Sequence, residues 1–495
     1  MAIAEDAAGG PAEHAAESHR KPPGSVKFFY SVGQVVESGY LAANGFVFFY
    51  YTAVLGLSGA LVGLALGISM CLDAFFDPFI GSWSDSVRSR FGRRLPVMLA
   101  GAPLTFVTLG LLFAPPPALA PLMLFLWLTL LKMGVRAFAS MFNIPYFTLG
   151  GEMSDDYVER ARIVSYRLLG GILATVLITW IAFTFFFTGE AGLQRREAYP
   201  AFGWTVAALI LVGALASCAG IWRYAATLPR PLTPATPMLP RLGTEMREIF
   251  GNPSFRVLFF SMLIFSSSAG LNAALNNHTF VFVWKLPAGT IQLISYALLL
   301  GITAGIPITP LLLRRMEKKT AMLLGFALVI VPWMVLPTLR ALGVFAPTGA
   351  EALPWLILTT LVVGVGTGLI FIALPSMMAD AADEHEFMFG ERREGLYFSG
   401  LGFAGKAAGG LGTMLGGFAL DLMSFPRHVG AQVGAVISED MVHRLILAWG
   451  FIPATLSVIG ALVFLPYAIG RARQEEISAF LRRKRADDVS AGRSS

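Results

Sequence analysis

Twelve blocks of apolar residues follow one another along the chain, each close to the roughly 20 residues that cross a bilayer as a helix. They predict helices at 26–51, 58–84, 95–114, 120–149, 163–188 and 201–225. A polar, Pro-rich stretch runs from Leu228 to about Asn252. Six more helices are expected at 254–284, 290–313, 320–341, 353–379, 394–423 and 443–469. Soluble cores do not repeat that length again and again. The pattern divides the chain into a disordered tail (1–25), a first six-helix half (26–225), a central loop (226–252), a second half (253–469) and a basic tail (470–495). The first tail is rich in Ala, Gly, Glu, His and Pro and lacks the apolar stretch of a signal peptide.

Composition agrees with an all-α membrane protein. Hydrophobic residues make up 55% and charged residues 14%, where a soluble chain carries roughly a quarter charged; mean hydropathy is +0.66. The net charge of +6 would point to nucleic acid in a soluble protein. Here the bases sit at the ends of apolar blocks, so topology explains them and no nucleic-acid partner is expected. Arg88, Arg90, Arg93 and Arg94 follow helix 2. Arg314, Arg315, Lys318 and Lys319 follow helix 8, and Arg482, Arg483, Lys484 and Arg485 follow helix 12. The turns Thr52–Leu57 and Pro115–Ala120 carry none, and Arg195 and Arg196 are the exceptions. The positive-inside rule then places both termini and the central loop in the cytoplasm of a multi-pass cell-membrane protein. Cys71 and Cys218 support neither a disulfide framework nor a metal site. With no P-loop, HExxH or nucleophile elbow, neither an enzyme nor a resident cofactor is expected.

Ionisable groups at membrane depth cost roughly 2.5–3.5 kcal/mol each on insertion scales, which makes them functional candidates. Glu37 lies in helix 1. Asp73 and Asp77, four apart in helix 2, share a helical face. Two such carboxylates repel unless a proton or a metal cation sits between them; the alternative is that Asp77-Pro78 caps a helix break and Asp73 pairs with a base. Lys132, Arg136, Ser140 and Asn143 fall on one face of helix 4, and Lys406 lies in a glycine-rich helix 11. Three acids and three bases allow a neutral buried network, although Lys132 is equally placed to snorkel outward. Asn272, Asn276, Asn277 and His278 in helix 7 suit either a polar ligand or helix–helix contacts. Tyr30, Asn44 and Tyr50 in helix 1 are weaker candidates of that kind. Gly81-Ser-Trp-Ser-Asp85…Arg90-Phe-Gly92-Arg93-Arg94 reads as a conformational gate. Glu384-His385-Glu386 reads as a solvated charge run in a loop rather than a metal site.

The two-half layout resembles major facilitator transporters, whose site lies between the halves near the midplane. Three stretches resemble the glycoside–pentoside–hexuronide:cation symporter family within that fold. They are Asp73-Ala-Phe-Phe-Asp77-Pro78…Gly81 running into Arg88-Ser-Arg90-Phe-Gly92-Arg93; Asn143-Ile-Pro145-Tyr146 followed by Glu152, Asp155, Glu159-Arg160 and Ser165-Tyr166-Arg167; and Met378-Ala-Asp380 with Gly390-Glu-Arg-Arg393-Glu394-Gly395 and Lys406. The resemblance implies a cation site at Asp73 and Asp77, with the Ser140 hydroxyl replacing a threonine. Glu37 matches a sugar-binding aspartate, and Lys406 the helix 11 lysine. Phe76 stands for an asparagine linked to sodium binding, Asn143 for an aspartate, Phe147 for a tryptophan that packs on sugar and Ala139 for a tyrosine. Met70 stands for an arginine, whose charge Arg136 takes over from a glycine position.

The expectation is therefore symport of a sugar, glycoside, uronide or related organic solute. Its co-transported ion is a proton in preference to sodium, because Phe76 offers no oxygen ligand. Asp73, Asp77 and Ser140 would couple the cation. Glu37, Asn44, Arg136, Asn143, Phe147, Asn272, Asn276 and Lys406 would bind substrate, and Asp85, Arg90, Arg93, Asp380 and Glu394 would gate. An amphiphilic, lipid-like or anionic substrate is the alternative; a receptor has no visible sensory domain. The expected partners are a small-molecule substrate and membrane lipid, with no obligate protein partner.

Overall fold

A computed structural model describes residues 21–228 and 247–492, apart from 88, 90–91, 155, 190–191, 392 and 433–434. The described residues form twelve long helices and a thirteenth at the end of the chain. Helix α1 runs as Gly24–Gly33 and Val35–Phe49, interrupted at Gln34. It is followed by α2 (Gly59–Ser86), α3 (Leu95–Phe113), α4 (Pro121–Glu152), α5 (Tyr157–Ile181) and α6 (Ala198–Ala225). The second set is α7 (Pro253–His278), α8 (Ala288–Leu313), α9 (Lys318–Ala341), α10 (Leu353–Phe389), α11 (Glu394–Leu422) and α12 (Glu439–Phe464). Among the described residues, nine helices are long and apolar enough to cross a membrane by length and composition. The three that fall short are α1, α2 and the glycine-rich α11. These are the helices that carry Glu37, the two aspartates and Lys406.

The pairing of helices repeats with a shift of six. Contacts α1–α5, α1–α6, α2–α4, α3–α4 and α3–α6 recur as α7–α11, α7–α12, α8–α10, α9–α10 and α9–α12. Leucines cover the outside of the bundle: Leu130 is 64% and Leu173 68% exposed. Such a surface suits acyl chains rather than water. Glycines allow the interior helices to touch backbone to backbone. A Cβ on Gly301 would lie 2.3 Å from the Leu361 carbonyl, and one on Gly368 2.6 Å from the Ile302 carbonyl, so α8 and α10 close on small residues.

The halves meet chiefly along α2 and α11. Gly59, Gly63 and Gly67 recur every fourth residue on α2 and face Gly417, Met414 and Gly410. A Cβ on Gly417 would lie 2.0 Å from the Gly59 carbonyl. The symmetry-related pair, α5 and α8, touches much less. At that end of the bundle, three helices finish in π turns, at Tyr50–Val54, Ala182–Phe186 and Thr279–Val283. We call it the far end; the opposite, terminal end holds the start of α1, the end of α12 and the α2–α3 and α8–α9 turns.

One expectation changes here. Helix α10 continues to Phe389 instead of stopping near residue 379. Glu384, His385 and Glu386 are therefore buried in its last turns, and the Tyr397 hydroxyl lies 3.1 Å from His385 Nδ1. They are not a solvated loop. The basic tail forms α13 (Arg471–Gly492), which packs against α10 where the Phe480 ring lies 4.9 Å from that of Phe387.

Candidate functional site

Asp73 and Asp77 project from one face of α2 onto α4, where Arg136 and Ser140 also sit one turn apart. The matched spacing brings the two pairs into register. Arg136 Nη2 binds Asp73 Oδ2. Ser140 Oγ is 2.8 Å from Asp77 Oδ1 and 3.3 Å from Asp73 Oδ1. A hydroxyl has one proton to donate, so Asp77 receives the bond and Asp73 the weaker contact. Lys406 reaches over from α11: its Nζ binds Asp77 Oδ2 and lies 2.9 Å from Asp73 Oδ2. Asp73 is fully buried, and Asp77 is 19% exposed. The acids are thus held together by a guanidinium and an ammonium, and not only by a proton or metal as their repulsion suggested.

Glu37 and Asn143 form a separate contact, with Asn143 Nδ2 donating to Glu37 Oε2 at 2.6 Å. Lys132 does not snorkel. It is 2% exposed and donates to the Tyr40 hydroxyl at 2.6 Å and to Asn44 Oδ1. Its ammonium also sits over the Tyr40 ring, 4.6 Å from the centroid, with the Arg136 guanidinium 5.3 Å from the same centroid. The expected network of three acids and three bases is therefore incomplete. Two bases meet two acids, while Glu37 holds an amide and Lys132 holds neutral oxygens.

Three candidates fall elsewhere. Asn272 donates to the Trp449 carbonyl at 2.9 Å, and Asn276 accepts from Trp449 Nε1 at 2.7 Å. These amides tie α7 to α12 and are not brought to the acid cluster. Phe147 stacks under the Arg167 guanidinium, 4.8 Å from its ring centroid. The last two residues of α7 join the halves: Asn277 Nδ2 donates to Gly45 O at 2.9 Å, and His278 Nε2 lies 2.8 Å from Thr52 Oγ1.

Of the gating candidates, Arg90 and the Asp85 side chain lie outside the described residues. Arg93 and Arg94 both pair with Glu152 at the end of α4, at 2.5 and 2.6 Å. Lys318 pairs with Asp380 on α10 at 2.6 Å, which is the same contact in the second half. Glu394 lies in the first turn of α11. At the far end, Asp421 of α11 caps α2, accepting from Gly59 N and Ala60 N at 2.9 Å each and from Ser58 Oγ.

Tyr40, Glu152, Lys318 and Asp421 were not among the candidates. Tyr40 had a readable signal, because positions 37, 40 and 44 share one helical face. Asp421 had none, since its partner is the backbone of a helix more than 350 residues away in sequence. Among the described residues, no group of three or more His, Cys, Asp or Glu is placed to hold a metal.

A model of the family described as MFS/sugar transport protein matches residues 29–471. The chain is 25% identical to the isoprimeverose transporter of Lactiplantibacillus pentosus, covering 87% of this chain and 86% of that one. It is 25% identical to the glucuronide carrier protein homolog of Escherichia coli (strain K12), over 80% and 83%. It is 24% identical to the sodium-dependent lysophosphatidylcholine symporter 1 of Mus musculus, over 87% and 82%. Among solved structures, a mutant of the nucleoside transporter NupG superposes with a TM-score of 0.61 at 18% identity, covering 90% of this chain and 99% of that one. A mutant of the peptide transporter POT superposes with a TM-score of 0.63 at 13% identity, over 92% and 98%. At those identities the structures speak to the fold alone.

Proposed function

Because this chain belongs to the MFS/sugar transport family, a group of multi-pass membrane transporters, we propose that it is a proton-coupled symporter of a sugar, glycoside or uronide. One observation carries the reading. Lys406 of the second half is bound to Asp73 and Asp77 of the first. A cation that neutralises either carboxylate weakens that tie, so ion binding acts on the contact between the halves. Such a differential contact is what coupling requires. Phe76 packs against Ile80, Val97 and Met141, so it brings no oxygen to the acids and the proton is favoured over sodium.

By the positive-inside rule we assign the terminal end, with its basic turns, to the cytoplasm. Hydrogen bonds join the halves at the far end, between α1 and α7 and between α2 and α11, and deeper in the bundle at Tyr296–Val176 and at Lys406. We read this as a state closed outside along α2 and α11. An amphiphile is the second reading, favoured by the name of the mouse relative.

The test uses purified protein in proteoliposomes and a sugar or uronide that raises its melting temperature. Asp73→Asn is expected to abolish uptake driven by a proton gradient while leaving exchange of labelled for unlabelled solute. Gradient-driven uptake that survives this change sinks the coupling role.

A further inference from the structure

Around the Tyr40 ring the protein gathers hydrogen-bond donors without acceptors to match. The Lys132 ammonium has three N–H groups and two partners, Tyr40 Oη and Asn44 Oδ1. The Tyr40 hydroxyl uses a lone pair on Lys132, and no described acceptor takes its own proton. Arg136 Nε is buried and has no hydrogen-bond partner. No described carboxylate reaches Lys132; Arg136 and Lys406 already hold the aspartates. A buried donor left unmatched costs roughly 1–3 kcal/mol. The unmatched Arg136 Nε, one turn from Lys132 on α4 and beside the Tyr40 ring of α1, forms with these two a cradle for an oxyanion.

We propose that Lys132, Tyr40 and Arg136 Nε receive the carboxylate of the transported solute, and that Lys132 selects acidic glycosides over neutral ones. The inference rests on the symport reading above and narrows its substrate class. Placement on α1 gives the solute a direction. Glu37, an acceptor suited to sugar hydroxyls, and Asn44, which holds Lys132, are seven residues apart on one continuous helix. That is roughly 10 Å at 1.5 Å per residue. The solute then carries hydroxyls at one end and a carboxylate at the other, at about the length of a disaccharide or an aryl uronide. Asn44 and Tyr40 hold the ammonium until the carboxylate replaces them.

The experiment compares matched nitrophenyl glycosides that differ only in the C6 group, glucoside with glucuronide and galactoside with galacturonide, by equilibrium binding to the purified transporter. The readout is the ratio of affinities within each pair. Wild type is expected to favour the acidic member of at least one pair by about tenfold or more, a gap of roughly 1.4 kcal/mol. Lys132→Gln should bring that ratio close to one, Lys132→Arg should restore part of it, and Tyr40→Phe should lower it several-fold. Melting temperatures verify that each variant is folded, and the Tyr40→Phe ratio stands if Lys132→Gln is not. A wild-type ratio near one, or a preference that Lys132→Gln leaves intact, overturns this inference while gradient-driven uptake of the neutral member keeps the symport reading. Binding of a lysophospholipid with no glycoside bound overturns both.

Discussion

The two ends of the bundle are held by different chemistry. At the far end the halves are joined to each other through backbone. Gly59 and Gly417 touch, Asp421 caps α2, and Thr52 and Asn277 cross between α1 and α7. At the terminal end Arg93 and Arg94 pair with Glu152, and Lys318 with Asp380, each pair inside one half. The first kind must break when the transporter opens on its other side. The second kind stiffens each half as a body that moves as a unit. The difference teaches where the moving surface is and which contacts travel with it.

Three substitutions test that division, in order of expected effect. Gly417→Leu puts a side chain where a Cβ already lies 2.0 Å from the Gly59 carbonyl. Overpacking of this kind costs about 1–3 kcal/mol or more, so closure at the far end should fail. Uptake is expected to fall by at least about tenfold, with a far-end cysteine reporter labelled faster; unchanged uptake would show that the seam does not need to close. Glu152→Gln removes the anion that Arg93 and the buried Arg94 share. A lost charged hydrogen bond is worth roughly 1.5–3 kcal/mol. The melting temperature should drop while the labelling rate at the far end stays put, and a change in that rate would move this contact into the gate. Asp421→Ala removes a helix cap worth about 0.5–2 kcal/mol. It should shift labelling toward the open far end by a few-fold without lowering the melting temperature comparably; the reverse result would make Asp421 a contact of folding rather than of gating.

Much of the site was legible because its residues are expensive where they stand. Asp73, Asp77, Arg136 and Ser140 were marked by charge or polarity at membrane depth and by a shared four-residue spacing, and the structure puts them in contact. Asn272 and Asn276 carried the same mark and went to Trp449. An amide is satisfied by any neighbouring carbonyl or indole, so its presence in an apolar helix does not say which neighbour. Lys132 shows the same limit for a cation: its reach allowed either the membrane surface or the interior, and the packing of α1 against α4 placed it on Tyr40. Glu384-His385-Glu386 was misplaced because a charged run resembles a loop until α10 is seen to continue through it.

The sequence by itself determined the apolar lengths, the six-and-six repeat, the distribution of basic turns and the faces of α2 and α4 that carry charge. Each follows from the local chain and from the cost of polar groups in an apolar solvent. Only the tertiary structure decided that Lys406 ties the aspartates across the halves, that Lys132 stays without an anion, and that α2 and α11 are closed at one end. Those facts depend on which helices meet and how closely. That is set by the summed packing of small residues spread over the whole chain, with no spacing rule that a single segment can display.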